Sequence, residues 1–207
     1  MKVYEYRAFP NPARVRIALG EKGMLDQVEF VQVDVPAGEH RKLDFVAKNP
    51  FAAVPVLELD DGTCIAECTA ITEYLDNLDG EPVLTGRTPQ ERAVVHMMQR
   101  RAEAGLLDAL VAYFHHATPG LGPDIEMYQN KEWGEHQLHR ALDGMRYLDH
   151  VVGKQPYLAG ESFSMADITA FAGMWLFDLL QLAMPAHHDN LNAWRARVAA
   201  RPSIRAM

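Results

Sequence analysis

Every strand-like segment of this chain lies before Glu67, and beyond one short polar linker the pattern is helical only. Lys2–Tyr6 is short and rich in β-formers. Ala13–Lys22 groups Val15, Ile17, Ala18 and Leu19 as a helix does, with Gly23 as its stop. Val28–Val35 alternates apolar and polar residues like a half-buried strand. His40–Lys48 reads as a short helix that ends before Pro50. Val54–Leu59 and Cys64–Ala66 flank Asp60-Asp61-Gly62-Thr63, and an Asp-Gly turn between apolar strands is a strong hairpin signal. Thr69–Asp79 is the last helix of this half, so the order is β-α-β-α-β-β-α. Glu81–Pro89, with Gly86 and two prolines, is the one good linker. Helices are then expected over roughly Pro89–His116, Ile125–Val152, Ser164–Leu182 and Asn190–Ala200. A mixed α/β half followed by an all-α half implies two domains: residues 1–80, a linker over 81–89, and a helical bundle over 90–207.

The formal charge of -8 repels phosphate backbones, which argues against a nucleic-acid partner. No apolar run approaches the ~18–20 residues that span a bilayer, so a membrane partner is not expected. MKVYEYRAFPNP lacks the apolar block of a signal peptide, and the expected location is the cytoplasm. Two cysteines, Cys64 and Cys68, make neither a disulfide framework nor a zinc set, so reduced thiols and no metal are expected.

Two segments carry chemistry. In Asn49–Leu59 (NPFAAVPVLEL), Pro55 opens what otherwise reads as a strand. A cis Val54–Pro55 bond would turn the chain sharply and leave the Val54 backbone free to pair with an extended peptide. A trans proline opening an edge strand is the alternative. In Ile65–Leu75 (IAECTAITEYL), strand passes directly into helix at Glu67 and Cys68. Free N–H groups and the helix dipole favour an anion there, and Glu67 offers a carboxylate to an ammonium. An ordinary helix start is the alternative. Further on, Ser164-Met165-Ala166-Asp167 has the spacing of a capping box, with Asp in place of Glu or Gln.

Taken together, in order and at these distances, the element order, NPFAAVPVL, AECTAITEYL and PYLAGESFSMADI closely resemble the soluble glutathione transferases over essentially the whole chain. The nearest likeness is to the atypical fungal glutathione transferases and their bacterial relatives, on PARVRIAL, VPVLELDDGT and AECTAITEY. The resemblance implies a thioredoxin-like first domain that binds glutathione and a helical second domain that shapes the pocket for an electrophile. Glutathione is then a co-substrate and no separate cofactor is expected. Val54, presented by Pro55, would pair its backbone with the cysteinyl unit, and Glu67 and Cys68 would hold the γ-glutamyl end. His40 and Arg41 match a stretch that grips the glycyl carboxylate, although a solvated helix start explains them equally well. Cys68 stands where relatives have Ser, and Ala53 where they have Gln or Lys. The resemblance also implies a two-fold homodimer.

The largest departure is in the loop Arg7–Arg14. Relatives place Ser, Cys or Tyr before the first helix, beside the glutathione sulfur. Here Phe9 holds that position and can donate nothing. Tyr4 and Tyr6 read as structural. The remaining candidates for thiol activation are Asn11, the N–H groups at the first helix's N-terminus, and His115 or His116, at the end of a helix that overhangs the thiol in the family. Two surface histidines at a helix end are the alternative. Phe9, Pro10, Tyr113, Phe114 and Trp175 would line the electrophile pocket. The expected activity is conjugation of the glutathione thiolate to small hydrophobic electrophiles. Glutathione-dependent peroxide or disulfide reduction, and non-catalytic glutathione binding, are the rivals.

Overall fold

Val3 and Leu57 are register partners in adjacent antiparallel strands, and both are fully buried. They organise a four-stranded sheet of order β2-β1-β3-β4 in the computed structural model, which describes residues 1–206. The strands are β1 (Lys2–Glu5), β2 (Glu29–Gln32), β3 (Val56–Glu58) and β4 (Cys64–Ala66). β1 runs parallel to β2 and antiparallel to β3, and β4 is antiparallel to β3. Because side chains alternate along a strand, Val3 and Leu57 face one side. There they pack with Val15 and Leu19 of α1 (Pro10–Glu21) and with Ile71 and Leu75 of α3 (Cys68–Asn77). Tyr4 and Val56 face the other side, against Phe45 of α2 (Leu43–Val46).

Glu5 shares the face of Val3 and is fully buried. Its carboxylate accepts from Arg16 Nε at 2.8 Å and from Gln32 Nε2 at 2.8 Å, and the Arg16 guanidinium lies 3.7 Å above the Phe30 ring. A buried charge of this kind persists only when paired and hydrogen-bonded.

The helix expected over His40–Lys48 is instead a 3₁₀ turn at Glu39–Arg41 followed by α2, with Lys42 extended between them. Gly38 initiates that turn with a left-handed φ of 76°. The other boundaries of this half move by a few residues at most; the strand expected over Val28–Val35 contracts to Glu29–Gln32.

The chain divides into two compact units, Met1–Pro82 with residues 202–206, and Val83–Arg201. The terminal helix α9 (Pro202–Arg205) thus packs with the first unit, against α1, rather than with the second domain expected over 90–207. Gly20 permits this approach, since a Cβ there would lie 3.0 Å from Ser203 Cβ.

The second unit contains α4 (Pro89–Ala102), α5 (Asp108–Ala117), α6 (Lys131–Val152), α7 (Met165–Leu179) and α8 (Asp189–Ala199). Thr88 and Glu91 form a reciprocal capping box at α4, with Pro89 at the first helical position. The single helix expected over Pro89–His116 is interrupted by a π-helical turn at Glu103–Leu107. There Gly105 faces Gly144 of α6, where a Cβ would come within 2.1 Å of the Gly105 carbonyl oxygen. Ser164 and Asp167 form the anticipated capping box. Asp167 is fully buried and accepts from the Leu158 N–H at 2.9 Å and Trp194 Nε1 at 2.8 Å as well as from Ser164. No helix among the described residues is long and apolar enough to cross a membrane.

Candidate active site

In the first unit, the hairpin and the strand-to-helix junction bring the candidate glutathione-side residues together. The Val54–Pro55 bond is cis. Val54's own N–H and C=O make no hydrogen bond among the described residues. Asn49 braces the approach to this proline. Its amide donates to the Ala53 carbonyl at 2.8 Å and accepts from the Phe51 N–H at 3.1 Å, and it is itself buried. The β3–β4 register pairs Val56 with Ala66, so one step further brings Pro55 towards Glu67.

Glu67 takes φ 68° and ψ 120°, a conformation that costs a non-glycine residue on the order of 1–3 kcal/mol. Its position between β4 and α3 enforces that backbone. Its exposed side chain does not cap α3, and the carboxylate has no partner among the described residues. The first-turn N–H groups of Thr69 and Ala70 are likewise unbonded, whereas the Ile71 N–H reaches the Glu67 carbonyl. A carboxylate beside open helix N–H groups suits a zwitterionic ligand end. The Cys68 thiol points inward instead and donates to the Asn11 carbonyl at 3.4 Å.

His40 is buried, with Nδ1 unpartnered among the described residues, while Arg41 is exposed. Burial first, and then the charge of Arg41, hold the His40 pKa below the ordinary imidazole value. At neutral pH the ring is therefore an uncharged N–H donor, and Arg41 carries the charge.

Phe9 is the N-cap of α1, extended and without a capping side chain, and its ring packs edge-on to Tyr6 at 4.6 Å. Pro10 is buried behind it. The expectation of several helix N–H donors meets a limit here. Pro10 and Pro12 have no N–H, and the Ala13 N–H is bonded to the Phe9 carbonyl at 3.2 Å. Asn11 alone among the first three positions keeps a donor. Arg14 Nη1 donates to Asn11 Oδ1 at 3.1 Å, so the Asn11 amide nitrogen faces away without a partner among the described residues. Tyr4 is structural: its hydroxyl donates to Glu58 Oε2 at 2.9 Å, and Glu58 is paired with Lys48.

In the second unit, Tyr113, Phe114, His115 and His116 form the last turn of α5, all half-buried, and Trp175 is half-buried on α7. The two histidines are not equivalent. His116 Nδ1 accepts from the Asn130 N–H at 3.1 Å, so in the neutral ring the proton sits on Nε2. His115 Nδ1 lies 2.7 Å from Glu126 Oε1. A carboxylate only accepts, so Nδ1 carries the proton and Nε2 keeps a free lone pair. Gln129 Nε2 donates to the carbonyls of His115 and Thr118, at 2.7 and 2.8 Å, and so closes the end of α5. Neither Glu126 nor Gln129 was legible as part of this arrangement, because both partners come from beyond a turn.

Comparison with known proteins agrees with this architecture. Residues 1–77 match the Glutathione S-transferase, N-terminal domain, and residues 106–202 match the Glutathione S-transferase, C-terminal domain. The chain is 58% identical over 205 residues to Glutathione S-transferase 2 of Saccharomyces cerevisiae, covering 99% of this chain and 88% of that protein. The crystal structure of Gtt2 from the same yeast superposes with a TM-score of 0.98 at 57% identity, covering 100% of this chain and 99% of that one. A glutathione S-transferase domain-containing protein of Marinobacter aquaeolei VT8 superposes at 0.96 with 59% identity, covering 99% of this chain and all of the other. With both domains matched and this identity sustained along its length, the chain belongs to the glutathione S-transferase family.

Proposed function

We propose that this protein binds glutathione through Val54, Glu67, Cys68, His40 and Arg41, and conjugates its thiolate to small hydrophobic electrophiles. The observation that carries the reading is the unpaired Glu67 carboxylate, held in a left-handed backbone beside open α3 N–H groups and the unbonded Val54 backbone. The glutathione ammonium meets Glu67, its γ-glutamyl carboxylate the helix N-terminus, and its cysteinyl backbone Val54. The neutral His40 and the charged Arg41 suit the glycyl carboxylate.

With Phe9 in place of a hydroxyl, the Asn11 amide and N–H are the donors offered to the sulfur by the first unit. The thiol proton passes to His115 Nε2, directly or through a water, and the thiolate forms the bond to the electrophilic carbon as its leaving group departs. The family arrangement, in which this helix end overhangs the thiol, supports His115, and its Nδ1 contact favours it over His116. Phe9, Pro10, Tyr113 and Phe114 are the proposed lining for the electrophile.

Titration calorimetry of glutathione against wild type and Glu67→Ala tests the binding half. Glutathione affinity is expected to fall at least about tenfold, as a lost charged contact implies, while the Michaelis constant for the electrophile changes little. Equal affinities would place the γ-glutamyl end elsewhere.

We further propose that the protein is a two-fold homodimer. Phe51 is 84% exposed and Leu43 86%, which are large apolar side chains to leave on a monomer's surface.

A further inference from the structure

The geometry points to a role for Glu126 that no resemblance assigns: we propose that it is the positioning residue that turns His115 into a proton acceptor. The inference rests on the reading that His115 takes the thiol proton. Two adjacent histidines lie in the last turn of α5, and their partners distinguish them. The Glu126 carboxylate holds Nδ1–H of His115 at 2.7 Å and so directs the lone pair of Nε2 outward. The same carboxylate faces the positive charge that His115 acquires when it accepts a proton.

Glu126 is itself fixed. Its Oε1 accepts the Leu121 N–H at 2.8 Å, and its side chain is 9% exposed, so water screens its charge weakly. Gly120 makes the seat for it. With φ +56° and no side chain, Gly120 leaves room where a Cβ would lie 2.2 Å from Oε1. The residues after α5 thus fold back on its last turn and deliver a carboxylate to one histidine and a backbone N–H to the other.

Glu126→Gln separates this role from a structural one. The amide oxygen still accepts the Leu121 N–H, but the charge facing His115 is gone. The expected result is a fall in kcat of roughly ten- to a hundredfold, with the Michaelis constant for glutathione within about twofold of wild type. In a His115→Ala background the same substitution should change kcat by less than about twofold, because the two residues act as one unit. Wild-type kcat in Glu126→Gln, with His115→Ala impaired, overturns the role of Glu126 and leaves His115 as the acceptor. Wild-type kcat in His115→Ala overturns the acceptor reading itself, and this inference with it. A measurement that needs no variant is the ¹⁵N spectrum of the histidines in the native protein. The neutral His115 ring should be protonated at Nδ1; protonation at Nε2 contradicts the proposal.

Discussion

Arg14 donates to Asn11 Oδ1 at 3.1 Å, and that bond fixes which end of the Asn11 amide is available to a ligand. The carbonyl of the same residue is held by the Cys68 thiol at 3.4 Å. Asn11 is therefore anchored at both side chain and backbone, on a helix whose first-turn donors are thinned by two prolines.

Asn11→Asp should be more damaging than Asn11→Ala. Alanine removes one donor to a charged sulfur, worth about 1.5–3 kcal/mol, or roughly a ten- to hundredfold loss in kcat/KM for glutathione. Aspartate removes the donor and adds a like charge. Steady-state kinetics at fixed electrophile concentration check the order. Equal activity of all three proteins would remove Asn11 from the mechanism.

Asp167 couples the second unit's stability to pH. Burial pushes its pKa up to about 6 from an ordinary 3.8, against the pull of its donors from Leu158, Trp194 and Ser164. Between these values the folded state binds more protons than the unfolded one. The contribution is thus fully present below pH 4 and lost as pH rises through 6, a change of about 3 kcal/mol at 1.36 kcal/mol per unit. Denaturant unfolding at pH 4 and pH 7 should show wild type losing this amount relative to Asp167→Asn. A difference between the two proteins that does not vary with pH would contradict it.

Phe51 offers a test of the proposed dimer. Its N–H is held by Asn49, so the exposed ring is presented by a braced loop. Light scattering of wild type should report about twice 23.2 kDa. Phe51→Glu should shift the mass towards a single chain at micromolar concentration. A wild-type monomer would exclude the dimer.

The sheet, its order of elements and the hairpin that carries the candidate site were legible because they depend on local signals: alternation over Val28–Val35, the Asp-Gly turn and Pro55 before a strand. The place of Phe9 just before the first helix was legible too, from the helix-like grouping that follows it. Contacts made across turns were not legible. The helix expected from Ile125 begins at Lys131, because Glu126, Gln129 and Asn130 are bonded to Leu121 and to the last turn of α5 instead of continuing the helical ladder. The 3₁₀ break at Lys42 and the π turn at Glu103–Leu107 leave apolar spacing nearly unchanged, so periodicity cannot register them. The seating of α9 on α1 depends on Gly20 and Ser203 meeting across nearly the whole chain, which no local pattern encodes.

The most direct test of the central claim is a titration of the thiolate absorbance of glutathione bound to the wild-type protein. An unperturbed thiol ionises near about 8.5. Stabilisation by Asn11 and proton transfer to His115 should bring the bound thiol about 2 units lower, equivalent to about 2.7 kcal/mol. Both Asn11→Ala and His115→Ala should return it part of the way, while His116→Ala should leave it near wild type. A bound thiol that ionises at the same pH as free glutathione would contradict the account and leave a protein that binds glutathione without activating it.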